Sequence, residues 1–115
     1  MFNRFQVNGR LVPSELYYRG VVGHHKNIIR VHEFCSNQSC YVLVLERPKF
    51  YMNLSELSMS KLQTPLIRPQ IRTIVIHCVS RGVRLNVLNL KRFIYDFDTG
   101  LVKLNDFDQA ELVRR

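Results

Sequence analysis

The sequence predicts an α+β fold, and three observations carry that reading. Two short runs rich in branched residues flank a polar turn. One largely apolar segment, 66–80, has the length of a helix rather than a strand. A second pair of strand-like runs surrounds an Asp/Thr/Gly turn near the C-terminal end.

In chain order, the first element expected is a helix over 11–22, with Pro13 at its first position and Gly23 where a C-terminal cap belongs. Strands are expected over 28–34 and 40–46. The turn 36–39, Ser36-Asn-Gln-Ser39, joins them into an antiparallel hairpin. Residues 54–62 read as a short helix. Residues 66–80 read as the buried helix, starting near Pro69 or kinked there, because proline lacks the N–H a helix interior requires. Short strands follow over 93–95 and 101–104. Between them Asp96-Phe-Asp-Thr-Gly100 reads as a turn in which Gly100 supplies a positive φ.

A chain of 115 residues fits one small domain, and 46% hydrophobic residues set it apart from disordered sequences. The longest apolar runs, such as 40–45, fall far short of the ~20 residues that span a bilayer. No apolar signal segment opens the sequence, so neither membrane nor secretory routing is expected, and the compartment expected is cytoplasm, nucleus or both. Three cysteines, Cys35, Cys40 and Cys78, are odd in number and lack framework spacing, which points to reduced thiols. In that setting the sequons at Asn37 and Asn53 read as chance matches. The formal charge is +8, but Lys and Arg are scattered. Only Lys91-Arg92 and Arg114-Arg115 are adjacent, so a basic solvated surface is expected rather than a specific nucleic-acid site.

The histidines and cysteines between His24 and Cys40 lack the paired short spacings of a zinc site. No Ser-His-Asp constellation is visible. His77, at the end of the apolar helix, reads as structural, and Tyr17-Tyr18 reads as a packing surface.

Five blocks carry a resemblance. They are Val12-Pro-Ser-Glu-Leu16, Asn27-Ile-Ile-Arg-Val-His-Glu-Phe34, Tyr41-Val-Leu-Val-Leu-Glu-Arg-Pro48, His77-Cys-Val-Ser-Arg-Gly-Val83 and Val102-Lys-Leu-Asn-Asp-Phe107. In order and spacing they resemble the Pim serine/threonine protein kinases, the fish-type Pim-like relatives above all. The resemblance implies a partial protein-kinase-like fold: helix C, strands 4 and 5, a hinge, helices D and E, a degenerate catalytic loop and the strands around the DFG position. It divides the chain into an N-lobe part, 1–46, and the start of a C-lobe, 47–115. At the hinge, Glu46 is expected to offer a backbone carbonyl to adenine, whereas Pro48 has no N–H to donate.

The resemblance also implies what is lost. Phosphoryl transfer needs charge around Mg-ATP and a group that orients the attacking hydroxyl. Aligned without gaps from Gly82 to Asp106, the His-Arg-Asp triplet becomes Leu85-Asn86-Val87, and Val87 at the catalytic aspartate position has no polar atom. Asn89 stands at the catalytic-loop lysine position, and Arg92 at the metal-binding asparagine. Asp106 keeps the position of the DFG aspartate, while Asp108 replaces the glycine. Glu15 matches the helix C glutamate, but no lysine precedes it, and neither the Gly-rich loop nor the strand with that lysine is expected in the chain. The expected state is therefore a truncated, catalytically inactive pseudokinase that acts by binding a protein, a related kinase or its regulators, with no cofactor. The alternatives are residual binding of ATP and Mg²⁺ in a serine/threonine kinase relative, or a partial gene product without function.

Two further expectations follow. Arg92 and Asp106 replace residues that share metal ions, so Arg92 is expected to pair with Asp106 or Asp108; the other reading leaves it exposed, where such a pair contributes only ~0–1 kcal/mol. The hairpin edge and the apolar helix lack the neighbours a whole kinase domain would give them, so exposed apolar surface is expected.

Overall fold

The computed structural model describes residues 4–7, 10–36, 40–62, 64–85, 89–108 and 110–113. It is an α+β structure of short antiparallel sheets around three helices. The order is β1 (Arg4–Val7), β2 (Arg10–Pro13), α1 (Ser14–Val22), β3 (Val31–Ser36), β4 (Tyr41–Leu45) and β5 (Tyr51–Asn53). Then come a 3-10 turn (Leu54–Glu56), α2 (Met59–Leu62), α3 (Arg68–Ser80), β6 (Val83–Arg84), a second 3-10 turn (Leu90–Arg92), β7 (Phe93–Asp96), β8 (Val102–Leu104) and β9 (Glu111–Leu112).

The first departure from expectation is at the N-terminal end. Residues 11–13 are not helical: they belong to β2, which pairs with β1 in the register Phe5↔Val12 and Val7↔Arg10. The two residues between these strands in the sequence are Asn8-Gly9, the dipeptide that most favours a two-residue hairpin connection. That signal outweighs the helical reading of Leu11 and Val12. Pro13 holds extended ψ (143°) just outside the helix, so α1 begins at Ser14. At the other end Gly23 takes φ +72° and donates its N–H to the Arg19 carbonyl at 3.0 Å, the expected glycine cap.

The strand expected from Ile28 begins only at Val31. Ile28 and Ile29 are buried, but against β8 rather than within the hairpin. Leu104 N–H donates to the Asn27 carbonyl at 2.7 Å, and Ile29 N–H donates to the Leu104 carbonyl at 3.0 Å. Asn27 fixes this docking from inside the core: its Nδ2 donates to the Val102 carbonyl at 2.7 Å and to Gln70 Oε1 at 3.0 Å. Strands β3 and β4 form the expected antiparallel hairpin, a two-stranded sheet. The turn assigned to 36–39 lies, beyond Ser36, outside the described residues.

The helix expected over 54–62 is split. Asn53 Oδ1 accepts the Ser55 N–H at 3.0 Å and caps a single 3-10 turn, after which Leu57 is extended and α2 restarts at Met59. Helix α3 begins at Arg68, so Pro69 occupies the first turn, where its missing N–H costs nothing. It is not a wholly buried helix. Ile67, Ile71, Ile74 and Cys78, spaced by four, three and four, make one inward stripe. Ile76 and Val79 face out at 61% and 45% exposure. On β4 the alternation likewise leaves Val42 and Val44 exposed.

Strands β5, β7 and β8 form the central antiparallel sheet. Its β7–β8 connection is the predicted turn: Asp96 Oδ1 accepts the Asp98 N–H, Gly100 N–H donates to the Asp96 carbonyl at 2.8 Å, and Gly100 takes φ +73°. The core gathers Tyr18 and Val22 from α1, Ile74 and Cys78 from α3, and Phe93, Tyr95, Val102, Leu104 and Phe107 from the sheet and the segment after it. Cys35 and Cys78 are free thiols. Burial pushes the Cys78 thiol up to about 12, so it stays protonated and serves as packing. No described helix is long and apolar enough to cross a membrane.

Candidate functional site

The segment leaving β8, Asn105-Asp106-Phe107-Asp108, is held by charged side chains from three other parts of the chain. Arg92 ends the 3-10 turn that Asn89 begins. Asn89 Oδ1 accepts the Lys91 N–H at 3.0 Å, so this residue, at the expected lysine position, works as a turn cap. The Arg92 carbonyl then accepts the Asn105 N–H at 2.7 Å, which sets the two strands of the site side by side.

From that position the Arg92 guanidinium lies between two carboxylates. Its Nη1 is 3.0 Å from Asp106 Oδ1, as a hydrogen bond, and 3.1 Å from Asp108 Oδ2. The Arg92 side chain is only 12% exposed, against 32% for Asp106 and 72% for Asp108. The expected pairing is therefore present, with both acids at once, and it is sheltered at the arginine end. Asp106 Oδ1 also accepts the Asp108 N–H at 3.1 Å, so one oxygen serves two donors.

Glu15 approaches from α1. Both of its carboxylate oxygens accept the Phe107 N–H, at 2.9 and 3.1 Å. Arg19, one helical turn on, places Nε 3.2 Å from Glu15 Oε2, an ion pair at an angle that makes no hydrogen bond. The rest of the Arg19 guanidinium is committed elsewhere: Nη1 donates to the Ile29 carbonyl at 2.6 Å and Nη2 to the Asn105 carbonyl at 2.7 Å. Its carbon also lies 5.4 Å from the centre of the Phe107 ring. Burial pushes the Glu15 carboxyl up, partly offset by Arg19 and by the Phe107 N–H; burial pushes Arg19 down, against the pull of Glu15. Arginine starts so high that it stays charged regardless. Arg19 thus links α1, the 27–29 segment and the Asn105–Phe107 segment. Sequence reasoning did not single it out, although its spacing of four from Glu15 was a readable signal.

At the hinge, Glu46 donates its N–H to the Arg30 carbonyl at 2.9 Å and points its carboxylate toward Lys103 Nζ at 3.6 Å. Arg47 reaches Asn105 Oδ1 and lies over the Tyr51 ring. Pro48 is half-buried between β4 and β5. Of the hinge residues Glu46, Arg47 and Pro48, Arg47 is the one tied by a contact to the Asn105 segment. Val87, with Asn86 and Leu88, lies outside the described residues.

These residues do not fit a magnesium ion. Mg²⁺ demands several oxygen ligands in an octahedral shell. Here the Asp106 oxygen that would face it is taken by a guanidinium, and a fixed cation in the cradle repels another. Among the described residues no group of three or more His, Cys, Asp or Glu side chains converges on a metal position.

A second cluster links α1 to α3. His77 Nε2 is 2.9 Å from the Val22 carbonyl and must donate, because a carbonyl only accepts. His25 lies 4.5 Å away, ring to ring, and its Nδ1 accepts the Asn27 N–H at 3.0 Å. Protonating His25 removes that acceptor and sets a cation beside His77 and Lys26. Burial first, then His77 and Lys26, accordingly hold the His25 imidazole below its ordinary range. With the folded value below the unfolded one, near 6.5, the unfolded chain takes up the proton first as pH falls. Stability from this contact is thus full above about 6.5 and lost as pH drops through the lower folded value. Thermal melts at pH 7.5 and 5.0 should show a larger acid loss for the wild type than for His25→Gln; equal losses would reject this account.

The comparisons with known proteins come to this geometry from outside. No protein-family model matches the chain. The sequence is 27% identical over 115 residues to the serine/threonine-protein kinase prk-2 of Caenorhabditis elegans, an alignment covering 96% of this chain and 26% of that protein. The chain thus spans about a quarter of the length of the curated relative it matches. The similarity supports a distant relation to a serine/threonine kinase.

Proposed function

We propose that this chain is a Pim-type pseudokinase segment that binds a protein partner and does not transfer phosphate. The observation that carries the reading is the Arg92 guanidinium seated between Asp106 and Asp108. In the kinase alignment these are the metal-binding positions, and the cation supplies by itself the positive charge that Mg²⁺ would bring. The site is then a structural lock: it joins the 3-10 turn at Leu90–Arg92 to the Asn105–Asp108 segment without a nucleotide. Val87 and Asn89, at the base and lysine positions, support the same reading, because neither side chain carries the charge phosphoryl transfer uses.

The partner we infer is a related kinase or one of its regulators, met through exposed apolar side chains such as Val42 and Val44 on β4 or Ile76 and Val79 on α3. A thermal-shift titration with ATP, with and without Mg²⁺, tests the silent-site half of the proposal. Tm should stay within about a degree at millimolar nucleotide in both arms. A Mg²⁺-dependent rise of several degrees would favour the alternative, a kinase relative with residual ATP binding.

A further inference from the structure

We propose that the concavity walled by His24, His25, Lys26 and Arg30 is a recognition site for a phosphorylated peptide, with the phosphate seated among these four side chains. The concavity measures about 420 Å³, and no carboxylate lines it. Arg19, Arg84, Arg92 and Lys103 each face a carboxylate. Arg30 and Lys26 have no ion-pair partner among the described residues. Like charges gathered in one hollow repel one another, and a dianion relieves that repulsion while accepting hydrogen bonds from every wall.

The backbone that displays these groups is rigid. Asn27, in the middle of the cluster, is buried and donates to the Val102 carbonyl and Gln70. Ile28 N–H donates to the His25 carbonyl at 3.0 Å, the Leu104 carbonyl accepts from Ile29 N–H, and Leu104 N–H donates to the Asn27 carbonyl. The backbone that carries the cations is therefore held in place before any ligand arrives, which lowers the entropy lost on binding. His25 adds a donor without needing a charge. Its Nδ1 accepts from Asn27 N–H, so the neutral ring carries its proton on Nε2.

An adjoining groove of about 440 Å³ makes the ligand a peptide rather than a free anion. It shares His24, His25 and Arg30 with the basic concavity and adds Leu16, Ile28 and Val31. A phosphoserine or phosphothreonine in the first space leaves an apolar neighbouring side chain to fill the second. This deepens the binding role proposed above and rests on it for the partner being a protein. Arg19 also lines the groove, but Arg92, Asp106 and Asp108 take no part in it.

The test is fluorescence anisotropy with the full chain and a labelled peptide carrying one phosphoserine flanked by leucines. Binding should be at least tenfold tighter than for the unphosphorylated peptide, and Lys26→Gln and Arg30→Gln should each weaken it several-fold. Arg72→Gln, an exposed substitution on α3, should leave it unchanged. Equal affinity for the two peptides overturns the proposal. So does inorganic phosphate competing as well as the phosphopeptide, which marks a bare anion site, or tighter binding to phosphatidylserine vesicles, which marks a lipid surface. If a variant fails to fold, NMR on the wild type decides instead: the imidazole signals of His24 and His25 should move with the phosphopeptide and stay still with its unphosphorylated counterpart. Because neither ATP nor a kinase enters this experiment, a negative result here leaves the silent-site reading standing, and the nucleotide titration judges that one separately.

Discussion

Phe107→Ala should cost about 3–5 kcal/mol of folding stability, the range for deleting a buried phenyl ring. The ring is 2% exposed and lies within the core beside Tyr18, with ring centres 6.4 Å apart. The Arg19 guanidinium lies 5.4 Å from the ring centre, so the truncation also removes a cation–π contact in a sheltered place. Small domains are stable by only about 5–15 kcal/mol in total, so the variant should be near its unfolding midpoint at modest urea. Phe97→Ala serves as comparison, because that ring is 46% exposed and packs on Tyr95 from the solvent side; its loss should stay below about 1 kcal/mol. The pair, measured by urea denaturation, decides what the Asp106-Phe107 element is. A Phe107 loss as small as that of Phe97 would mean the segment is not part of the core.

The sequence placed Asp106 and Phe107 together through their resemblance to a metal motif, and it placed Arg92 opposite Asp106 by alignment alone. The Arg92–Asp106–Asp108 contact was legible because the resemblance sets opposite charges at positions that would share a metal. What the sequence could not show was the commitment of Glu15. Seen as a helix C glutamate without its lysine, it looked unpartnered. In the structure it accepts the Phe107 N–H and lies against Arg19. Backbone donors carry no residue-type signal, and Arg19 was one of many scattered arginines until the helix brought it onto the Glu15 face.

The fold was legible to a similar degree and failed for physical reasons that can be named. Period and turn chemistry located the β3–β4 hairpin, α3 and the Asp96–Gly100 turn, because each has a strong local cause. The boundaries at Ile28 and Leu11 failed because tertiary pairing competed with local preference. Ile28 and Ile29 have strand-forming side chains, but they bury against β8 under the control of Asn27, a contact 75 residues distant in sequence. At Leu11 the decisive feature lay outside the helical window, in Asn8-Gly9. Exposure on α3 was misjudged because apolar content was taken for burial on every face; only the 67, 71, 74 and 78 stripe meets the core.

Arg92→Asn tests the lock directly, because it removes the guanidinium and supplies the neutral oxygen that a metal could use. Breaking a buried ion pair by removing one partner costs about 3–5 kcal/mol. Asp106 and Asp108 are partly or largely exposed, so water takes up much of that, and a loss of about 1–3 kcal/mol is expected in metal-free buffer. The two acids then face each other without a counter-ion. Added Mg²⁺ should stabilise the variant by ~1.4 kcal/mol at ten times its Kd, while the wild type, whose cradle already holds a cation, should not respond. Asp106→Asn in the same background should abolish the response, which separates a site at this carboxylate from a general salt effect. Thermal melts of the three proteins with MgCl₂ and with NaCl at matched ionic strength give the answer. Equal Mg²⁺ responses in wild type and Arg92→Asn would mean that Arg92 does not fill the metal position, and the structural basis for a silent site would go with it.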